Sequence, residues 1–460
     1  MNLPALPEEI FRAYDIRGIV GEGLTPELMY WLGKAIGSEA LYKKESALLL
    51  AYDARLSSPE FASQIKRGIL ETGCDVIELG QIPTPLLYFA THTLPCHSGV
   101  MITGSHNPKE YNGVKVVFKQ QSLSDAQITI FKDRIFSEAF YRGLGTVSHY
   151  DIKPDYIRHI LGDIKLRQGW KVVIDCGNAI TGIVAPELFT RLGCEVIPLY
   201  CDIDGSFPHH HPDPTKPENL IDLQQQVLSS GADLGIAFDG DGDRVALVSS
   251  SGNIFDADHL LMAFVKDILP QHPGATVVYD VKSSHHLASL ISELKGQPLM
   301  CKSGHSYVKK ALQSSGALLG GEYSSHLFFR HRWFGFDDGM YAAARFLELM
   351  DKNACSADAI HDSLPSSAHT PELFVPVAEA EKFSLMKHIA ADFRMADAVI
   401  NRLDGLRVTL DKGWGLIRAS NTTPNLVLRF EADNATELEN IKQKFRLELT
   451  RIAEGLTLNF

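Results

Sequence analysis

Leu48-Leu49-Leu50-Ala51-Tyr52-Asp53, Val172-Val173-Ile174-Asp175 and Val277-Val278-Tyr279-Asp280 are apolar runs that each close on an aspartate. Small or polar residues follow, then a helical pattern, then a second short run. The second runs are Val76-Ile77-Glu78-Leu79, Val196-Ile197-Pro198-Leu199 and Pro298-Leu299-Met300. Two parallel strands need a helical crossover between them, so each unit reads as βαβ. The three aspartates stand roughly a hundred residues apart, the spacing of domains and far above that of a solenoid repeat. The pattern predicts three related mixed-sheet α/β domains in series. Chance recurrence of strand, aspartate and turn, common in α/β proteins, is the competing explanation.

The Pro/Ser-rich segment Leu364-Pro365-Ser366-Ser367-Ala368-His369-Thr370-Pro371 reads as a linker. Beyond it come strands near 405–410 and 425–431 and a helix over about 435–453, the pattern of a smaller C-terminal α+β domain. The expected divisions are 1–150, 151–254, 255–366 and 367–460, arranged around a central cleft.

Composition narrows the function. A chain of 460 residues, 45% hydrophobic and 22% charged, is too long for one core and ordinary for a globular protein. Its net charge of −12 argues against nucleic acid as a partner, and any anionic ligand needs a local cluster of Arg, Lys and His. No stretch is long and apolar enough for a bilayer, and residues 1–9 lack the basic and apolar regions of a signal peptide. Seven cysteines, odd in number and never in CxxC spacing, suggest reduced thiols. A cytoplasmic protein with no membrane partner is expected, and nothing in the sequence demands assembly beyond a monomer.

Four motifs carry chemistry. Asp239-Gly240-Asp241-Gly242-Asp243-Arg244 follows the apolar run Leu234-Gly235-Ile236-Ala237-Phe238. Alternating carboxylates repel one another unless a cation sits among them, and the glycines allow the tight path that converges Asp239, Asp241 and Asp243 on one ion. Arg244 and Ser250 stand where an EF-hand needs glycine and glutamate. Few protein ligands with room for a phosphate oxygen suit Mg²⁺. The bland alternative is a solvated acidic hairpin.

Thr103-Gly104-Ser105-His106-Asn107-Pro108 follows the strand-like Gly99-Val100-Met101-Ile102. Ser105 is a candidate nucleophile or phosphoryl carrier, although alone the string is equally a Ser/Asn/Pro turn. Asn112-Gly113-Val114-Lys115 places a lysine able to return beside Ser105, and a lysine of lowered pKa there could move a proton. Gly321-Glu322-Tyr323-Ser324-Ser325-His326 offers polar side chains for sugar hydroxyls, and Lys302-Ser303-Gly304-His305-Ser306 offers His305 as a further acid or base. Arg418-Ala419-Ser420-Asn421-Thr422-Thr423-Pro424 has the Arg, hydroxyls and loop amides that a phosphate dianion needs. Two features are discounted. His209-His210-His211 lies in a Pro-rich loop where adjacent rings do not easily converge, and Asp337-Asp338 reads as a helix N-cap.

Taken together and in chain order, one per domain, the motifs resemble those of the α-D-phosphohexomutase family over essentially the whole chain. Within it they look like the bacterial phosphomannomutase/phosphoglucomutase branch. The resemblance implies that Ser105 is phosphorylated and that Asp239, Asp241 and Asp243, with Ser105, hold one Mg²⁺. It assigns sugar contacts to Glu322 and Ser324, with His326 beside them, and phosphate contacts to Arg418, Ser420, Asn421 and Thr422. The early Phe11-Arg12-Ala13-Tyr14-Asp15-Ile16-Arg17-Gly18 also matches, adding Tyr14 and Arg17, and Lys282 corresponds to another site lysine. Lys115 and His305 are then the acid/base pair, with Arg244 and Arg17 assisting electrostatically.

The implied reaction is reversible transfer between hexose 1-phosphate and hexose 6-phosphate (mannose or glucose) through a phosphoserine and a 1,6-bisphosphate. Glucose 1,6-bisphosphate would be the activator. RASNTTP favours this branch over phosphoglucosamine mutases, which usually read GEQSGH and RPSGTEP. Tyr323 and Ser325 depart from the Met or Gln and the Gly common in related loops. Two other classes remain: an aspartyl-phosphate phosphotransferase with Asp239 as nucleophile, and a sugar-phosphate binding protein without catalysis.

Overall fold

A computed structural model describes residues 6–12, 15–123, 126–420, 423–453, 455–458 and 460. Among the described residues the strands assemble into four sheets. The three aspartate-terminated runs become the strands Ala47–Tyr52, Lys171–Asp175 and Thr276–Asp280. Each pairs in parallel with its predicted partner: Asp75–Gln81, Glu195–Leu199 and Gln297–Cys301.

The repeat extends further than the sequence pattern suggested. On the other side of each run lies a third parallel strand: Gly99–Ile102, Leu234–Phe238 and Leu319–Glu322. Each of these turns back as an antiparallel neighbour: Tyr111–Phe118, Val245–Ser249 and His326–Phe329. The first sheet adds Ile16–Ile19 at one edge and Val147–His149 at the other. All three domains therefore share one strand order and place a hairpin at the carboxyl edge of the sheet. Ligands of open α/β sheets bind at that edge. The three hairpin loops are 103–110, 239–244 and 323–325.

The fourth sheet is antiparallel, running Ala368–His369, Asn425–Ala432, Gly413–Ala419, Leu406–Leu410, Val399–Asn401, with Leu373–Pro376 also on Asn425–Ala432. The late strands and the helix Ala435–Ile452 lie where the sequence pattern put them. The strand between them, Gly413–Ala419, does not register in the sequence because Asp411-Lys412-Gly413-Trp414-Gly415 looks like a turn. Its Gly415 has a packing reason: a Cβ there would sit 2.5 Å from the Phe445 ring on the covering helix.

The core explains which parts move together. Leu49, Met101, Val172, Ile236, Val277 and Leu319 belong to one buried cluster spanning the first three sheets. Each such side chain contributes about 1.5–3 kcal/mol of burial, so these domains behave as one body. The last domain has its own core around Leu406, Ile417, Leu428 and Phe445. It touches the third domain through a small cluster of Val281, Trp414, Leu416 and Met300 and through polar bonds. Arg407 Nη1 donates to the carbonyls of Val281 at 2.5 Å and Ser283 at 2.8 Å, and Arg429 donates to that of Lys282. A small, polar seam leaves relative motion as the default.

Candidate active site

The three hairpin loops and Arg418, Ser420 and Thr423 of the last domain converge on one cleft of about 740 Å³. That volume lies within the range of small-molecule sites. Ser105, Arg244, Glu322 and Arg418, one from each loop region, line it.

Ser105 is 2% exposed and adopts φ +48°, a left-handed backbone that disfavours side chains. The surroundings enforce it. Arg55, fully buried, donates to the carbonyls of Ser105 (2.7 Å), Asn107 (2.6 Å), Pro108 (2.6 Å) and Tyr111 (2.8 Å). Asp53, the aspartate closing the first run, accepts from Gly104 N–H at 3.2 Å and pairs with Arg55 Nε at 3.3 Å. Asp280 accepts equivalently from Tyr323 N–H at 3.2 Å, so two of the three repeated aspartates clamp a hairpin loop of their own sheet. Asp175 instead bonds His210 Nε2 at 2.9 Å while His209 bonds Asn178, so the histidine triplet does not converge.

Ser105 Oγ donates to Asp239 Oδ2 at 2.9 Å. The loops meet so closely that a Cβ on Gly240 would lie 2.2 Å from Ser105 O. Asp239, Asp241 and Asp243 are wholly buried, with candidate ligand oxygens all within 4.8 Å of one another. Asp241 Oδ1 and Asp243 Oδ1 accept no hydrogen bond. Lys115 Nζ lies 2.7 Å from both Asp241 Oδ2 and Asp243 Oδ2, and Thr84 Oγ1 donates to Asp241 at 2.5 Å. At about 4 Å a pair of like charges repels by roughly 4 kcal/mol at an effective dielectric of 20. The all-oxygen donor set and the two orphaned oxygens fit a hard divalent cation.

The charge pattern follows. Burial, then Asp243 and Asp241, push the Asp239 carboxyl up. Burial works against the Lys115 ammonium, yet Asp241 and Asp243 raise it well above the ordinary lysine value.

His305 is different. Its Nδ1 lies 3.1 Å from Asp337 Oδ2, and Lys309 Nζ donates to Asp337 Oδ1 at 2.9 Å. Burial and the Lys309 charge outweigh Asp337 and lower His305, keeping a neutral imidazole. His326, stacked on it at 5.6 Å, has its Nε2 3.3 Å from Asp243 Oδ1 and its Nδ1 3.2 Å from Glu322 Oε2. Burial lowers it, but Asp243 and the hydrogen bonds of Asp243 and Glu322 raise it to about 9. A protonated His326 faces Asp243 Oδ1 as an ion pair. The 3.3 Å approach of Arg244 Nε is then a contact between cations, offset by Asp239 at 3.9 Å.

The remaining candidates divide by loop. Ser324 Oγ lies 3.0 Å from His326 Nδ1. Lys282 pairs with Glu372 of the last domain at 3.2 Å. Arg418 Nε donates to Asp404 Oδ2 at 3.0 Å, and Ser420 Oγ accepts from Thr423 N–H at 3.1 Å. Arg17 pairs with Asp15 at 2.5 Å and bonds Asn107 Oδ1 at 2.5 Å. Tyr14, Asn421 and Thr422 lie outside the described residues. Tyr323 turns its ring to the Arg429 guanidinium at 3.6 Å, and Ser325, where related loops carry glycine, takes φ +69°.

Models of the phosphoglucomutase/phosphomannomutase family match the chain in four consecutive segments. These are the α/β/α domain I over residues 8–142, domain II over 154–252, domain III over 256–367 and the C-terminal domain over 372–448. The chain belongs to this family. A phosphomannomutase/phosphoglucomutase of Pseudomonas aeruginosa is 49% identical over 457 residues, 99% of each chain. A phosphoglucomutase of Neisseria gonorrhoeae is 44% identical, covering 96% of this chain and 97% of that one. A family protein of Burkholderia thailandensis has a crystal structure superposing with a TM-score of 0.94 at 41% identity, covering 99% and 100% of the two chains.

Several residues at the family site have no motif around them. Asp337 was read as part of a helix cap. Asp338 alone caps, accepting from Tyr341 N–H at 3.0 Å, while Asp337 orients His305. Glu372 and Asp404 hold Lys282 and Arg418 but come from loops without a signature. Arg55 had one available signal, its place two residues after a repeated aspartate.

Proposed function

We propose that the chain is a magnesium-dependent isomerase that interconverts hexose 1-phosphates and 6-phosphates, with mannose and glucose as the sugars. The observation that carries this reading is Ser105 Oγ set 2.9 Å from one member of a buried aspartate cluster, in a cleft that also holds Arg418. Family membership and relatives named phosphomannomutase/phosphoglucomutase support it.

In this reading Ser105 is a phosphoryl carrier. The sugar hydroxyl attacks the phosphoserine, the P–O bond to Ser105 breaks, and a new P–O bond forms on the sugar. The hydroxyl proton passes to His305, whose neutral ring is held by Asp337. Lys115, the other member of the acid/base pair, gives a proton to the departing Ser105 oxygen, and Arg244 and Arg17 are fixed cations around the transferring group. The resulting 1,6-bisphosphate turns end for end, Arg418, Ser420, Asn421 and Thr422 hold its other phosphate, and the reverse step restores phosphoserine. Glu322, Ser324 and His326 contact sugar hydroxyls, with Tyr14 and Lys282 completing the binding side. Asp239, Asp241, Asp243 and Ser105 would hold one Mg²⁺, which when bound neutralises phosphoryl charge. Glucose 1,6-bisphosphate would reload Ser105 whenever the intermediate escapes. A cytoplasmic location fits the seven unpaired thiols, a monomer belongs to the same proposal, and no helix among the described residues is long and apolar enough to cross a membrane.

A coupled assay converting mannose 1-phosphate and glucose 1-phosphate to their 6-phosphates tests the reading. Activity that needs Mg²⁺ and bisphosphate, with acid-stable label on Ser105, is expected. A hydroxylamine-labile label on Asp239, or binding without turnover, would overturn it.

A further inference from the structure

His285 and His286 open the helix His285–Glu293 of the third domain, facing Glu431 on the strand Asn425–Ala432 of the last. One ligand atom from each lies within 4.8 Å of the others. His285 Nδ1 and His286 Nε2 are shut off from solvent, yet neither has a hydrogen-bond partner. Leaving a buried polar atom unpaired is costly, so two adjacent ones call for an occupant. His285 Nδ1 lies 3.7 Å from Glu431 Oε1, and its Nε2 lies 4.0 Å from Asp433 Oδ1.

The chemistry of the group is not that of the aspartate cluster. His286 Nε2 is buried without a hydrogen-bond partner, so its lone pair is available to coordinate. Glu431 is 1% exposed, and His285 Nδ1 stands 3.7 Å from its Oε1, beyond hydrogen-bond reach. Three donors already occupy it: Ser284 at 2.5 Å, Ser367 at 2.6 Å and Trp414 Nε1 at 2.6 Å. A carboxylate has about four lone-pair positions, which leaves one. Two imidazoles, one carboxylate and an open fourth position, with the half-exposed Asp433 beside it, describe a site for Zn²⁺. Mg²⁺ prefers an oxygen shell and is selected against.

We propose that His285, His286 and Glu431 form a second metal site, selective for Zn²⁺ and similar nitrogen-seeking divalent cations, that bridges the third and last domains. None of the three lines the catalytic cleft. They sit directly on the polar seam, three residues beyond Lys282 in the case of His285. A cation bonded to both sides fixes the last domain against the rest and slows any turnover that needs it to move. That kinetic consequence rests on the mutase reading, whereas metal binding does not.

The test uses the full chain in excess Mg²⁺, which keeps the aspartate cluster filled. Equilibrium dialysis with Zn²⁺, and Co²⁺ absorption as a ligand-sensitive probe, are expected to show a single equivalent bound with a rise in Tm. His285→Gln/His286→Gln should weaken that binding at least about tenfold and abolish the Tm rise. Its Mg²⁺-dependent activity without Zn²⁺ should be unchanged. If the double variant does not fold, His286→Gln alone carries the same expectation. Asp243→Asn should still bind Zn²⁺. No Zn²⁺ bound by the wild-type chain, or equal binding by the histidine variants, would overturn the site. Binding as expected with unaltered turnover would overturn only the clamp.

Discussion

Arg55 Nη2 donates a 2.7 Å hydrogen bond to the carbonyl oxygen of Ser105, while the Arg55 Nε faces Asp53 at 3.3 Å. The strained serine is thus tied to the aspartate that ends the first strand of the repeat. With three further carbonyls on the same guanidinium, the loop backbone has little freedom to relax toward an ordinary turn. Placement of the nucleophile is a property of the sheet edge as much as of the loop.

Arg55→Lys tests this link. Lysine keeps the charge beside Asp53 but lacks the fork that reaches four carbonyls. A misplacement of about 1 Å can lower a rate about 100-fold, so kcat should fall roughly 10- to 100-fold while KM changes little. Steady-state kinetics beside thermal unfolding separate the possibilities. A lower Tm with unchanged kcat would make Arg55 a support of the fold alone.

Ser105→Ala removes the carrier oxygen and leaves the loop's backbone bonds in place. Turnover should drop by at least about 1,000-fold, as when a covalent nucleophile is deleted. Phosphorylation by glucose 1,6-bisphosphate should vanish with it. Circular dichroism and Tm should stay close to the parent, since Asp239 loses only one neutral donor. Retained turnover would return the motif to a plain Ser/Asn/Pro turn.

These residues also mark how far the sequence is readable. Apolar runs carry their own period, so the parallel strands and their helical crossovers are legible from composition alone. Ser105 and the Asp239, Asp241, Asp243 set are legible because adjacent chain positions supply the whole group. Arg55, Asp337, Glu372 and Asp404 are not, because each acts on a partner at least fourteen positions away, brought near only when a domain folds or, for Glu372 and Lys282, when two domains meet. The strand Gly413–Ala419 is hidden by two glycines that resemble turn residues in a one-dimensional reading, although Gly415 serves close packing against Phe445 and Gly413 lies against the Glu431 and Ala432 backbone.

Cation binding should register as stability. Three buried carboxylates with two oxygens unpaired repel in the metal-free chain. A ligand of the folded state at a hundred times its Kd adds about 2.7 kcal/mol. Mg²⁺ should therefore raise Tm of the chelator-treated chain by several degrees, and Asp243→Asn should abolish most of that rise along with activity. Differential scanning calorimetry with and without Mg²⁺ measures it, and an equal rise in Asp243→Asn would place the cation elsewhere.

Acid should weaken the fold through histidines far from the cleft. Burial, and less so His97, lower His92 from 6.5 to about 4, where its ring stacks on Phe334 at 5.1 Å and Phe336 at 5.7 Å. His331 is lowered to about 4 by burial and then by Arg345 and His272. For a depressed histidine the unfolded chain takes up the proton first. Its stabilising effect is whole above the unfolded value near 6.5, declines as pH falls toward 4, and is flat below that. With partial exposure discounted, linkage gives about 1–2 kcal/mol lost per ring between pH 7 and pH 5. His92→Phe keeps an aromatic ring among Phe334 and Phe336 but cannot be protonated. Denaturant unfolding at pH 7 and pH 5 should show the variant losing about 1–2 kcal/mol less than the parent over that interval. An identical loss in both proteins would mean that His92 titrates normally and that its burial is relieved before it is charged.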